Sequence, residues 1–335
     1  MSASVTSLSR RQLLIGGAGT LLAAPFIANG VARAEGEAKP FRIAWNTGAV
    51  CSAPVGYAIE KGIFAKHGLA AETLTFAGST EQLLEALATG KAEGAVGMAL
   101  RWFKPLEQGF DVKLIAGTHG GCLRLLGWKP AGIEKLEDLK GKVVAVADQS
   151  SPAKSFISLR LALIGIDPAR EVDWRVYPGN LLGLAVEKGE AQALAHWDPD
   201  THFYLKDERY VQIATNLDGE YANRTCCIFA VPGKLYREDK TTVRAAATAI
   251  LEASAATAKD PRGTAEVFYN AYKPKSGVED LTAMVAYHTH SHNPVGEALK
   301  QEIVLYADEL KKVQVLKPST DSRKFAERVF GDVFS

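Results

Sequence analysis

Residues 41–76 read FRIAWNTGAVCSAPVGYAIEKGIFAKHGLAAETLTF, and this stretch decides the fold. Phe41–Trp45 is an apolar, aromatic-rich strand. Ser52-Ala53-Pro54 then opens a helix running to about Glu60, with Ser52 able to cap it and Pro54 tolerated in the first turn. Gly62-Ile63-Phe64 and His67-Gly68-Leu69 turn the chain into a second strand, Ala71–Phe76. Strand, crossover helix and strand in so short a span predict a parallel sheet flanked by helices.

The alternation continues outward. Ser79-Thr80-Glu81-Gln82 has capping-box spacing, and Leu83, Leu84 and Leu87 form the buried stripe of the helix that follows. Gly90 ends that helix, and Gly94–Met98 and Val112–Gly117 are short strands. Near residues 117–128 the unit changes. Leu136–Val146 leads a fresh strand, Ser151-Pro152 starts a helix through Leu163, and Val172–Tyr177 and Gln192–Ala195 are strands around a helix at Asn180–Lys188. Asp198-Pro199 pairs a capping residue with Pro at the first helical position. Val211–Thr215 and Cys226–Val231 follow, and from Glu238 the chain is mostly helical. An αβ unit set inside another predicts two lobes: residues 38–125 with 226–335 as a discontinuous lobe I, and 126–225 as lobe II. Two crossing strands, near Leu114–Leu126 and Thr225–Val231, would form a hinge of the kind that closes lobes around a ligand.

The 335 residues suffice for two such units. A hydrophobic share of 47% and a charged share of 23% exclude collagen-like, disordered and multi-span membrane chains. Lys and Arg number 39 against 38 Asp and Glu, so no basic excess exists to neutralise a nucleic acid backbone. Four cysteines are too few for a disulfide scaffold.

Residues 1–34 have the anatomy of an export signal. Arg10-Arg11 precede an uncharged run, Leu13–Ala28, which Gly16, Gly17, Gly19 and Pro25 keep only mildly hydrophobic. Ala32-Arg33-Ala34 offers small residues for cleavage. The paired arginines resemble a twin-arginine signal, implying passage through that translocase into a periplasm. No Cys lies in the segment, so no lipid anchor is expected at its cleavage point.

Several blocks resemble the substrate-binding proteins of ABC importers for nitrate, sulfonate, bicarbonate and taurine, the NMT1/THI5-like family. They are Gly56–Leu69, Ala86–Ala95, Leu136–Lys142 and Ala185–Ala193 ahead of Asp198-Pro199, in family order and spacing over about 40–320. The resemblance implies an α/β, type II periplasmic-binding-protein fold with two αβ lobes joined by a two-strand hinge. It also implies a monomeric receptor, not an enzyme, that captures a small solute such as a sulfonate, nitrate, bicarbonate or a pyrimidine. The solute would pass unchanged to an inner-membrane ABC permease, with no cofactor.

In open α/β sheets the ligand meets the C-terminal ends of strands, where helix N-termini point. Ser52, Ser79 with Thr80, Ser151, Asn180 and Asp198 are such starts. Trp45 and Trp102 are candidate apolar walls. Arg101, Arg124 and Arg224 lie nearby in sequence. A carboxylate at Asp198 repels a simple anion unless it is protonated or paired.

The four cysteines fall at cleft or hinge positions: Cys51 in the first strand–helix turn, Cys122 in His119-Gly120-Gly121-Cys122, and Cys226-Cys227 on the return crossing. Packing with ligand contact by Cys51, Cys122 and Cys227, beside His119, is the first reading. A Cys51–Cys122 disulfide is the second. A metal or metal-chelate receptor using His119, Cys122 and Asp198 is the third. Inside a strand Cys226 and Cys227 would face opposite ways. His288, His290 and His292 form a separate cluster, expected as solvated surface. Catalysis with Cys122 as nucleophile and His119 as base is a further alternative, but no partner residue orients the pair.

Overall fold

A computed structural model describes residues 38–46, 48–76 and 80–335. The expected export segment and Ser79 lie outside these residues, and Thr80 is described only as the first residue of a helix. Among the described residues, ten strands form two five-stranded sheets. The first sheet takes β1 (Lys39–Trp45), β2 (Leu69–Thr75), β3 (Gly94–Met98), β4 (Val112–His119) and, from the far end of the middle segment, β10 (Cys227–Pro232). The second takes β5 (Leu123–Trp128), β6 (Val143–Val146), β7 (Asp173–Val176), β8 (Ala193–Trp197) and β9 (Tyr210–Thr215).

Strand order is β2-β1-β3-β10-β4 in one sheet and β7-β6-β8-β5-β9 in the other, the same pattern twice. The expected parallel pairing holds for β1 with β2 and β3 and for β6 with β7 and β8, and one strand in each sheet makes it mixed. β10 runs antiparallel to β3 and β4, and β5 antiparallel to β8 and β9. The reason is connectivity: β5 and β10 are each entered from the opposite sheet, so no helical crossover forces them parallel.

Helices cover the sheets. α1 (Ala53–Glu60), α2 (Ile63–Lys66), α3 (Thr80–Ala88) and α4 (Ala99–Glu107) follow strands of the first sheet, and α5 (Pro152–Leu163), α6 (Leu182–Glu187) and α7 (Asp200–Tyr204) those of the second. The C-terminal run comprises α8 (Gly233–Glu238), α9 (Lys240–Lys259), α10 (Pro261–Tyr272), α11 (Val278–Tyr287), α12 (Gly296–Lys312) and α13 (Ser322–Val329). Leu83, Leu84 and Leu87 of α3 are fully buried as their spacing predicts, and Gly90 ends the turn after it at φ 68°. Burying each leucine contributes about 1.5–3 kcal/mol. No helix among the described residues is long and apolar enough to cross a membrane.

The chain leaves the first sheet after His119, enters the second at Leu123, and returns between Thr215 and Cys227. C-terminal segments hold both crossings. Gly117 N–H donates to the Pro294 carbonyl (2.9 Å) and Thr289 pairs with Gly120. On the return, Thr225 N–H donates to Glu302 Oε2 (2.9 Å) and Arg224 meets both oxygens of Glu309 at 2.7 Å.

Candidate functional site

A cavity of about 810 Å³ lies between the two sheets. From the first sheet's side it is lined by Asn46, Gly48 to Val50, Met98, Arg101 and the Tyr272–Ser276 segment after α10. From the second come Ala147 and Asp148 after β6, Gly179, and His196, Trp197, Pro199, Asp200 and Phe203 at and after the end of β8. These are strand ends and the turns that open helices α1, α4, α5 and α7, the location the α/β rule predicts.

Arg101 spans the gap. It stands on α4, directly after β3, and its guanidinium donates to Asp148 through Nη1–Oδ1 (3.1 Å) and Nη2–Oδ2 (2.9 Å). The Arg101 side chain is 2% exposed and that of Asp148 37%. Burial alone would raise the Asp148 carboxyl, but the hydrogen bonds and charge of Arg101, with Ser150, hold it below its ordinary range. Arg101 also lies 5.8 Å from the Trp197 ring centroid. His196 Nε2 pairs with Asp200 at 3.1 Å. Both acids in the lining therefore have a basic partner, while Lys273 and Lys275 add positive charge and Trp197, Phe203 and Tyr272 add aromatic surface.

Among the described residues, none of those nominated from sequence is part of the cavity lining; several form its support. Trp45 and Trp102 are corrected from walls to core, at 1% and 0% exposure. Trp45 packs edge-on behind Tyr272 (4.4 Å), and Trp102 lies against Gly97, whose missing side chain leaves room for the indole. Ser52 stands at the N-cap of α1 but makes no capping bond. Its hydroxyl donates to the Ala49 carbonyl (2.7 Å) and accepts from Trp45 Nε1 (2.5 Å), which shapes the cavity turn instead. Ser151 caps α5 through Lys154 N–H and is buried. Asn180 is exposed in the short helical turn Gly179–Leu181, beside lining residue Gly179.

Asp198 does not cap α7; Pro199 occupies that position after a cis Asp198-Pro199 bond. Its carboxylate, 1% exposed, accepts from Arg124 Nη2 (3.0 Å) and the Thr201 hydroxyl (2.6 Å) and pairs with His288 Nε2 (3.0 Å). Burial pushes this carboxyl up, but His288, Arg124 and Thr201 outweigh it and hold it below the ordinary value. Asp198 is thus neutralised within the protein, and the metal set of His119, Cys122 and Asp198 does not assemble. Sequence patterning missed Arg124 and His288 as its partners, because they arrive from β5 and from the end of α11.

The histidine cluster is also corrected. α11 ends at Tyr287, His288 is extended, and His288 and His290 are buried at 4% and 2% exposure rather than solvated. Their rings lie 5.4 and 5.3 Å from that of His119. His292 turns outward to Glu302 (2.8 Å).

All four cysteines are free and buried. Cys122 and Cys226 sulfurs stand 3.3 Å apart, a contact rather than a bond. Cys51 adjoins Cys122, Cys227 and His119, and Cys226 adjoins Cys227. The expected opposite facing of Cys226 and Cys227 fails because β10 begins only at Cys227. Hydrogen bonds from Cys122 and Cys227 hold the Cys51 thiol well below its ordinary value. Burial opposes charge on His119, but Cys51 beside it prevails and pushes the imidazole up to about 9.

Residues 51–264 match the family described as NMT1/THI5 like, and the chain belongs to that family. The fold is that of periplasmic binding proteins. The alkanesulfonate-binding protein SsuA from Xanthomonas axonopodis pv. citri, bound to MOPS, superposes with a TM-score of 0.71 at 17% identity, over 88% of this chain and 99% of that one. The periplasmic aliphatic sulphonate binding protein SsuA from Escherichia coli gives 0.72 at 14%, over 87% and 92%. The periplasmic nitrate-binding protein NrtA from Synechocystis PCC 6803 gives 0.71 at 15%, over 88% and 86%. No curated protein matches the chain in sequence.

Proposed function

We propose that this member of the NMT1/THI5-like family is an exported, monomeric solute receptor that binds a small organic anion between its lobes and passes it unchanged to an ABC permease. The observation that carries this reading is the 810 Å³ cavity whose lining is drawn from the strand ends of both sheets. A ligand held there touches both lobes at once, so its binding energy favours the closed arrangement. The paired arginines of residues 1–34 support export through the twin-arginine translocase to the periplasm.

The lining chemistry supports an anion with an apolar body, a sulfonate above all. Asp148 and Asp200 are occupied by Arg101 and His196, which leaves Lys273 and Lys275 as the positive contribution beside Trp197, Phe203 and Tyr272. The sulfonate and nitrate ligands named for the structural neighbours agree with that charge. A metal-chelate cargo is disfavoured, since the cysteines, His119 and Asp198 are buried outside the cavity lining.

Thermal-shift and calorimetric titration with alkanesulfonates, nitrate, bicarbonate and pyrimidines tests the reading. A ligand at a hundred times its Kd stabilises the protein by about 2.7 kcal/mol. At least one sulfonate is expected to do so, and Lys273→Ala with Lys275→Ala should weaken it. No response to any of the four classes overturns the proposal.

A further inference from the structure

Where the two crossings meet, Cys51, His119 and Cys227 each place a ligand atom within 4.8 Å of the other two. The three come from separate elements: the turn Val50–Ser52, the end of β4 and the start of β10. Metal–sulfur bonds of about 2.3 Å and metal–nitrogen bonds of about 2.0 Å put ligand atoms on one ion roughly 3.5–4 Å apart. The observed spacing admits an ion after small side-chain adjustment.

Thiol packing accounts for the sulfurs but not for the imidazoles. His119 is wholly buried, and its Nε2 has no hydrogen-bond partner. Its Nδ1 sits 3.0 Å from the Gly120 carbonyl. Donation from Nδ1–H to that oxygen leaves Nε2 as the atom that gives up its proton to solvent when an ion binds, the arrangement by which a backbone carbonyl orients a metal-binding histidine. His290 stands against His119 with both ring nitrogens unpartnered at 2% exposure. Buried polar atoms without partners are costly, and here they surround a group of thiols.

We propose that Cys51, His119 and Cys227 hold a thiophilic closed-shell cation, Zn(II) or Cu(I), at the hinge, with Cys122 adjoining as the fourth donor for a tetrahedral ion. Thiolate and imidazole donors select these ions over hard cations, and the buried carboxylate of Asp198 is already occupied by Arg124, Thr201 and His288. Zn(II) with the thiolates of Cys51 and Cys227 and a neutral imidazole carries no net charge, and either Cys122 as a third thiolate or Cu(I) in place of Zn(II) gives the set one negative charge. Thiol protons leave to solvent as the ion binds. The site is separate from the solute cavity. Its ion would be a resident tie between both crossings and the turn whose Val50 lines that cavity.

The test uses the whole purified protein, kept reduced, stripped with chelator and titrated in separate arms with Zn(II), with Cu(I) and with Co(II) as a spectroscopic stand-in. One equivalent of Zn(II) or Cu(I) per chain is expected, with a sulfur-to-cobalt charge-transfer band in the Co(II) arm. Cys51→Ser and His119→Gln should each weaken uptake at least about 100-fold, while Cys226→Ser should retain it. X-ray absorption of the loaded wild-type protein reads the ligands without any variant: sulfur and imidazole scattering supports the site, and a shell of oxygen alone overturns it. Uptake by none of the three ions, or uptake unchanged in a folded Cys51→Ser protein, also overturns it. Sulfonate titration of the stripped protein reports on the solute cavity independently.

Discussion

The guanidinium of Arg101 and the carboxylate of Asp148 face each other as a two-bond fork across the gap between the sheets, at 3.1 and 2.9 Å. Arg101 stands on α4, after a strand of the first sheet, and Asp148 in the turn after β6 of the second, so the pair is a latch between the two sheets.

Arg101→Ala should loosen that latch. Because the Asp148 side chain is 37% exposed, solvent takes up much of the loss, and the expected cost is about 1–2 kcal/mol. Small-angle scattering of the ligand-free variant should show a larger radius of gyration than the wild type. An unchanged radius together with an unchanged melting temperature would leave the latch without a role.

Asp198→Asn removes the charge that Arg124 and His288 share. Breaking a buried pair on one side costs about 3–5 kcal/mol, readable by urea denaturation at neutral pH. A loss under 1 kcal/mol would show that the network is replaceable.

The same residue sets an acid limb. Its folded carboxyl is held below the ordinary value, so its contribution is complete above the unfolded value of about 3.9. That contribution is lost as pH falls through the folded value, because the unfolded chain takes up the proton first. The wild-type stability curve should fall more steeply than that of Asp198→Asn below about pH 4; parallel curves would refute the assignment.

Gly97→Ala tests why Trp102 is core. A Cβ there would collide with Trp102 Cζ2 and stand 2.6 Å from Cε2. Overpacking of this kind costs about 1–3 kcal/mol. Restored stability in the Gly97→Ala, Trp102→Leu double variant would confirm the contact, while simple additivity would not.

Cys122 adopts φ 89° after Gly121 at φ 88°, a backbone that favours glycine. Cys122→Gly and Cys122→Ala both remove the sulfur, but only glycine relieves the left-handed strain. The glycine variant should melt later, by about 1 kcal/mol of stability. The reverse order would mean that the strain is not borne at this residue.

Much of the architecture was legible because it rests on local signals. Leu83, Leu84 and Leu87 announced a buried helix face, and the turns before α1, α5 and α7 marked where a cavity would open. The side chains were another matter. Ser52 and Asp198 were read as facing solute from their position at helix starts and Trp45 as an apolar wall, yet Ser52 turns back onto the Ala49 carbonyl, and partners distant in sequence hold the other two inward: Tyr272 for Trp45, Arg124 and His288 for Asp198. Such partners leave no periodic trace in the chain. Arg101, three residues past β3, carried the same positional signal as its neighbour Trp102. Trp102 packs into the space that Gly97 leaves, while Arg101 reaches Asp148 and Ser150 at the cavity.

The position of β10 between β3 and β4 also governs the order in which an emerging polypeptide can settle. Strands β5 to β9 are contiguous, so the second sheet can close while the ribosome is still adding the remainder. The first sheet stays split, with a slot along β3 and β4, until Pro232 has been made. A nascent chain of this protein thus carries one finished half and one half awaiting its keystone, which places the interval of greatest exposure to chaperones late in synthesis.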